Sequence, residues 1–452
     1  MLPHIAVMLA LVVCACIFLC PEPAHADNPI IQTSYTADPA PMVWNATLYV
    51  YTSHDAPGST WFTMPDWRCY ATRDMVNYTD LGIIMSASDF SWGEVNTAWA
   101  AQCIERNGKF YFYVTVTRAA GGGRCIGVAV ADTPAGPFVD ALGKPLCGPN
   151  WDYIDPTVFI DDDGQAYLYF GNPQLYFVKL NEDMISYSGH ITKVPMTTEA
   201  FGTRPGGDER HQTLYEEGPW FTRRNGKYYM LYAASGVPEN ICYSTSTGPT
   251  GRWHFEGIIM PTEGGSFTNH CGVMDYRGHS YFFYHNGQLP GGGGFTRSVA
   301  VEEFVYGEDG SIPTIRMTRQ GPTQLEWLDP FRRVEAETIC WSEGIASRQS
   351  VGSVSVLTTS DGAFIKVAGV DFADGAASFT ASIRAEAAGG VMELRLGASN
   401  GPVVGRCEVP FAPTWTTITC PVTGAEGVHD LYLVFPQGSN VPTGMDWWQF
   451  TK

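Results

Sequence analysis

A frame of turn glycine and aromatic strand recurs five times along the chain, and it limits the possible folds more than any other feature. Its fullest copy runs from Glu217 to Tyr232, Glu-Gly-Pro-Trp-Phe-Thr-Arg-Arg-Asn-Gly-Lys-Tyr-Tyr-Met-Leu-Tyr. Aligned on Gly226 and Tyr229, the frame returns at Gly108/Tyr111, Gly164/Tyr167 and Gly278/Tyr281, and at Ala46/Tyr49 with alanine in the glycine slot. Asn107-Gly108, Asp163-Gly164 and Asn225-Gly226 tolerate positive φ at both turn positions, so each copy should open as a tight antiparallel hairpin. Two further strands follow each hairpin, as in Cys69-Tyr-Ala-Thr-Arg-Asp and Gly127-Val-Ala-Val-Ala-Asp. Copies spaced by 52 to 62 residues predict five four-stranded sheets, an all-β five-bladed β-propeller.

The register of the repeat picks out candidate site residues. Nine positions before the frame glycine stand Trp99, Asp155, Glu217 and Asn269, the last followed by His270; Asp38 lies eight positions before Ala46. Equivalent positions of a propeller surround its axis, so these residues should converge. Arg297 stands where the third strand of the last blade leaves the same face, which aims it inward. Gly-rich 119–124 and 290–294 and the long 190–215 are expected to wall a pocket. Any one Asp-Pro is ordinarily a turn. Three carboxylates brought to one axis repel each other, however, which a purely structural arrangement would avoid.

The chain of 452 residues carries a net charge of −19, which argues against nucleic acid or an anionic membrane as partner and favours a neutral substrate. Its 13% aromatic content suits a β-rich protein that stacks on sugars. Residues 1–26, with an apolar run from Ile5 to Leu19 and Ala24-His25-Ala26, read as a signal peptide, so the mature protein is expected to be secreted and extracellular. Three of the 12 cysteines leave with it, so the remaining odd number cannot all pair within the chain. Asn45-Ala-Thr and Asn77-Tyr-Thr are acceptor sequons, expected on the face opposite the carboxylates.

Residues 27–325 carry the repeats and 326–332 form a Pro-containing linker. From 333 to 452 the chain changes to short alternating runs such as Ser353-Val-Ser-Val and Val391-Met-Glu-Leu-Arg-Leu, which predict a β-sandwich.

Paired carboxylates in an aromatic-walled pocket suit glycoside hydrolysis, one protonated to serve the leaving oxygen and the other ionised. Trp99 would form a wall against a sugar face. Thr36-Ala-Asp-Pro-Ala-Pro, Asp155-Pro-Thr-Val-Phe-Ile-Asp-Asp-Asp-Gly, Glu217-Gly-Pro and Arg297-Ser-Val-Ala-Val-Glu together resemble family 43 glycoside hydrolases, five-bladed propellers of inverting enzymes acting on arabinose- and xylose-containing polysaccharides. The resemblance implies Asp38 as general base, Glu217 as general acid and Asp155 as the residue that raises and orients that acid. It makes Arg297 a substrate contact and His270 a channel histidine that helps hold an ion, often calcium.

The tail resembles family 6 carbohydrate-binding modules, jelly-roll sandwiches. Glu335-Ala-Glu337 matches their opening motif and Asp446-Trp447-Trp448-Gln-Phe their closing strand, making Glu335, Glu337 and Asp446 calcium-ligand candidates. A sugar-binding asparagine of that family is replaced here by Gly444, and Trp341 and Trp415 are the candidate aromatic platforms. No organic cofactor is expected. The expected activity is removal of α-L-arabinofuranosyl residues from plant cell-wall arabinoxylan or arabinan by a monomer. A β-xylosidase, an endo-arabinanase and a non-catalytic sugar-binding propeller are the alternatives.

Overall fold

The computed structural model describes residues 24–387, 390–436 and 443–452. Five antiparallel sheets follow one another along the first part of the chain. The first contains Thr36–Trp44, Thr47–His54, Asp66–Thr72 and Tyr78–Ser86. The second contains Trp99–Arg106, Lys109–Thr117, Arg124–Ala131 and Cys147–Asn150, with Val139–Asp140 at its side. Thr157–Ile160, Ala166–Phe170, Tyr176–Leu180 and Tyr187–Lys193 make the third, and Tyr215–Arg224, Lys227–Ala234, Asn240–Ser246 and His254–Met260 the fourth. The fifth has three strands, Gly272–Tyr276, His279–Asn286 and Ser298–Phe304, where four were expected. Its outer edge is met by the N-terminal segment: Ile30 N–H donates to Val299 O, and the Asn28 side chain bonds both backbone groups of Val301. The two ends of the repeat region are thereby joined without a further regular strand.

The hairpins follow the turn chemistry, with one exception. Asn45-Ala46, Asn107-Gly108, Asn225-Gly226 and Arg277-Gly278 all have positive φ at both residues, so even the non-glycine pairs take the left-handed turn that matches strand twist. Around Asp163-Gly164 only the glycine has positive φ, at 82°, and Asp161 N–H reaches Gln165 O. That is the longer turn-and-bulge closure rather than a two-residue turn.

Beyond residue 333 two antiparallel sheets enclose a separate apolar core that includes Ile365, Phe379, Leu431 and Trp448. One orders Ile345–Ser350, Ser353–Thr358, Thr443–Thr451, Ser378–Ala385 and Ala412–Pro421; the other orders Trp341–Glu343, Phe364–Asp371, Val428–Val434, Gly390–Leu396 and Val403–Val409. Cys407 and Cys420 form a disulfide there. Helix among the described residues is confined to Thr198–Phe201 and a single turn at Ala87–Asp89. None of it is long and apolar enough to cross a membrane.

Several stretches are more integrated than the sequence suggests. Of the leader expected over 1–26, positions 1–23 lie outside the described residues, and His25–Asp27 pairs with Gln320–Thr323. In the expected linker, Leu328 bridges to Val370 and Pro330 O accepts from Phe450 N–H, so this segment is held by hydrogen bonds to the C-terminal sheets. Thr338–Ile339 adds a strand to the edge of the first sheet. Asn77 corrects the expectation of a glycan-bearing surface residue. It is buried, and its amide donates to Asp74 and to Ala368 O of the C-terminal unit, leaving no room for a glycan in the folded chain.

Candidate active site

The residues picked by the repeat register meet in one pocket of about 300 Å³. Asp38, Trp99, Asp155, Glu217, Asn269, His270 and Arg297 all line it. The local reason is a recurring irregularity at the start of the first strands. The ladder slips between Ala37 and Ala40, between Trp99 and Ala101, and between Glu217 and Trp220. A bulge places two residues against one and re-aims a side chain that a regular pleat would bury in the sheet. Asp38 and Asp155 have φ of 53° and 57°, left-handed values that Asp tolerates better than bulkier residues, and each precedes a proline.

Asp38 sits among donors. Ser53 Oγ donates to its Oδ2 at 2.8 Å, and Arg297 Nη1 lies 3.3 Å from Oδ1. Arg297 is itself clamped by buried Asp55, which accepts from its backbone N–H and Nε on one oxygen and from Nη2 on the other. His270 Nδ1 is 3.8 Å from Asp38 Oδ1. His285 Nδ1 accepts the Asp38 backbone N–H while its Nε2 faces Thr268 O at 3.0 Å, so one ring nitrogen accepts and the other donates. That pairing defines a neutral imidazole, consistent with burial pushing the His285 pKa down to about 3. Burial by itself raises the Asp38 carboxyl, but the Arg297 guanidinium foremost, with the Ser53 hydrogen bond, outweighs it, and the group ends below its ordinary value.

Glu217 sits among other acids. Asn172 Nδ2 donates to its Oε2 at 2.5 Å, and Asp155 Oδ2 accepts the adjacent Gly218 N–H at 3.0 Å. Burial raises the Glu217 carboxyl, the Asn172 bond opposes this, and Glu216 adds to the rise. Asp155 is pushed well up, by burial first and then by the Glu217 and Asp38 charges. Two like groups so close titrate as a pair and hold a proton beyond the usual carboxylate range.

The pocket walls are aromatic. Trp99 is fixed by its Nε1–H to Phe62 O, with the Arg124 guanidinium 5.7 Å from its ring centre. Trp61, Phe62, Phe267 and Phe295 pack edge-on or tilted about the rim. The stretch 190–215 is one layer back, where Arg204 pairs with the lining Glu216 at 2.6 Å.

Residues 26–312 match the family described as Glycosyl hydrolases family 43, and residues 335–452 match Carbohydrate binding module (family 6). The chain belongs to glycosyl hydrolase family 43. It is 31% identical to the arabinoxylan arabinofuranohydrolase of Bacillus subtilis over 94% of this chain and 92% of that one. The crystal structure of a family 43 arabinoxylan arabinofuranohydrolase from Bacillus subtilis, in complex with cellotetraose, superposes with a TM-score of 0.79 at 29% identity, covering 94% of this chain and 97% of that one. Xylosidase/arabinosidase 43A of Humicola insolens is 30% identical over 63% of this chain and 98% of its own length. The protein is therefore a glycoside hydrolase with an appended module of the carbohydrate-binding type.

Among the polar residues that escaped the sequence reading are Asn172, Glu239 and His285, which line the family 43 pocket, and Asp55, which lies behind Arg297. Glu239 Oε2 accepts Asn269 N–H at 2.6 Å, and its buried Oε1 has no partner. Burial and the Glu217 charge push it well above the ordinary value. His285 carried a readable signal, four residues past the frame tyrosine of the fifth copy. The other three lie in loops outside the nine-residue register.

Glu335, Glu337 and Asp446 share a different cavity, at the seam with the first sheet, with Asp80. Buried oxygens of Glu337 and Asp80 have no hydrogen-bond partner, and burial pushes Glu337 up to about 8. All-oxygen donors suit calcium. In this arrangement, however, Arg333 is the cation present, 2.8 Å from Glu335 and 3.7 Å from Asp446. Among the described residues no three such groups are gathered to hold an ion, here or beside His270. Trp415 is exposed and its ring lies over Gly444, where a Cβ would come within 3.3 Å of the ring carbon. Trp341 is elsewhere, on an edge strand against Lys366.

Proposed function

We propose that the protein is an inverting, exo-acting α-L-arabinofuranosidase that removes arabinofuranosyl branches from arabinoxylan or arabinan. In this reading residues 27–325 are a five-bladed propeller and 333–452 a jelly-roll sandwich, secreted together as a monomer. The observation that carries it is the opposite surroundings of two carboxyls in one small pocket. Asp38, held ionised by Arg297, takes a proton from water as the water oxygen attacks the anomeric carbon. Glu217, whose ionisation burial and acidic neighbours disfavour, gives its proton to the leaving oxygen as the glycosidic bond breaks. Asp155 holds the Glu217 loop through Gly218 N–H and disfavours ionisation of the pair. Trp99 walls one face of the sugar, and Arg297 and His270 present donors toward it. Calcium binding by Glu335, Glu337 and Asp446 would require Arg333 to withdraw.

A pocket of about 300 Å³ suits one terminal sugar better than a polymer running through. The similarity to arabinoxylan arabinofuranohydrolases supports the substrate, while the Humicola insolens relative, named xylosidase/arabinosidase, favours β-xylosidase activity as the second reading. Chromatography of products from arabinoxylan, arabinan and xylo-oligosaccharides separates them: free arabinose supports the proposal, and xylose alone or short oligomers overturn it. Proton NMR during the first minutes should show β-arabinose before α. Initial release of α-arabinose would sink the inverting mechanism.

A further inference from the structure

The two units enclose a second cavity, of about 750 Å³, which none of the chemistry above uses. Tyr35, His54 and Pro290 line it from the catalytic side; Trp341, Glu343 and Ser360 line it from the C-terminal side. We propose that this cavity binds the neutral main chain of the polysaccharide whose branch enters the active-site pocket, with Trp341 as its stacking platform. The proposal rests on the arabinoxylan reading above.

Its position is the first argument. The second cavity and the active site are two sides of one wall. His54 lines the cavity while its neighbour Asp55 clamps Arg297 in the active site. Tyr35 lines the cavity while Asp38, three residues on, faces the reaction. Three residues of extended chain span roughly 10 Å, so a chain held here lies within a few sugar units of the scissile bond. On the same bank the Pro290 carbonyl accepts the Tyr35 hydroxyl at 2.7 Å, which holds Tyr35 in the cavity wall.

Composition is the second argument. A pyranose presents apolar C–H faces and a rim of hydroxyls, which calls for a flat aromatic surface flanked by polar side chains. Trp341 supplies the surface from an edge strand, where it is part-buried in the cavity lining. Glu343 and Ser360, both exposed, supply acceptors and a donor beside it, with His54, whose Nδ1 is held by Asp66 at 3.0 Å, on the facing side. The size falls within the range of small-molecule clefts. The chain's strong negative charge suits an uncharged ligand. By contrast, the module's exposed Trp415 lies over Gly444, where there is no side-chain amide.

The test separates binding from catalysis. Linear β-1,4-xylohexaose is titrated calorimetrically into the full chain carrying Glu217→Gln, with and without Trp341→Ala. Loss of the platform should weaken binding about tenfold. Ser360→Tyr, an exposed substitution that fills the cavity mouth, should weaken it similarly, and thermal melts check that both variants fold. In otherwise native chains both substitutions should raise KM on polymeric arabinoxylan several-fold. An aryl arabinofuranoside, too small to reach the cavity, should be turned over at the native rate. Unchanged xylohexaose affinity in both variants overturns the proposal. If the native protein fails to hydrolyse the aryl arabinofuranoside, the functional reading falls, while the calorimetric comparison still decides whether the cavity binds the main chain.

Discussion

Asp38 and Glu217 are both carboxyls, both in the same pocket, and both withdrawn from bulk water, yet their neighbours push them in opposite directions. Around Asp38 stand Arg297, two histidines and a serine hydroxyl. Around Glu217 stand Glu216, Asp155 and Glu239. The intrinsic acidity of the two side chains differs little, so division of labour comes from partners and not from residue type. The Asp38 side is a clamp of opposite charges; the Glu217 side is a crowd of like ones.

The hardest test of that contrast is removal of Asp38, the proposed base. Asp38→Asn should lose about 10²–10⁴-fold in kcat on every substrate, because no other ionised group is placed to activate water. Glu217→Gln should lose a comparable factor on natural linkages and much less on aryl glycosides with good leaving groups, which depart without protonation. Equal leaving-group dependence in the two variants would erase the distinction between the two sides.

Arg297→Met should destabilise the fold by about 3–5 kcal/mol, since it leaves Asp55 and Asp38 buried without their cation. It should also raise the Asp38 pKa and move the acid limb of the kcat/KM profile to higher pH. A melt within a degree of the native protein would mean that the clamp contributes little.

Asp155→Asn acts on the other side. Without a like-charged partner the pair's upper pKa falls, so the alkaline limb should move to lower pH. An unmoved limb would assign the high Glu217 value to burial alone.

The smallest effect belongs to Glu239→Gln, which mimics the neutral carboxyl and keeps an acceptor for Asn269 N–H. Activity at neutral pH should stay within about threefold of native, less than the loss from Glu239→Ala, which strands that buried N–H. Stability supplies a sign to check. A carboxyl whose folded pKa is raised is deprotonated first in the unfolded chain, so its contribution falls as pH rises above the unfolded value toward the folded one. The Gln variant should therefore lose less stability than the native protein between pH 4 and the folded Glu239 pKa. Parallel stability curves would show Glu239 to be unperturbed.

The five-fold repeat, the convergence of Asp38, Asp155 and Glu217, and the inward aim of Arg297 were all legible in the sequence, because a repeat maps equivalent positions onto equivalent places. The fifth sheet's missing strand was not legible, since its edge is met by Asn28 and Ile30 from the far end of the chain. Nor was the burial of Asn77, whose sequon is local while the Ala368 carbonyl that holds it is not. Asp55 and Glu239 were invisible for the same reason: they sit in loops that no period marks, and their partners Arg297 and Asn269 are chosen by packing. Proton states lay further still from the sequence. A string of residues specifies which groups can titrate, but desolvation and the distances to other charges exist only after the sheets have closed around them.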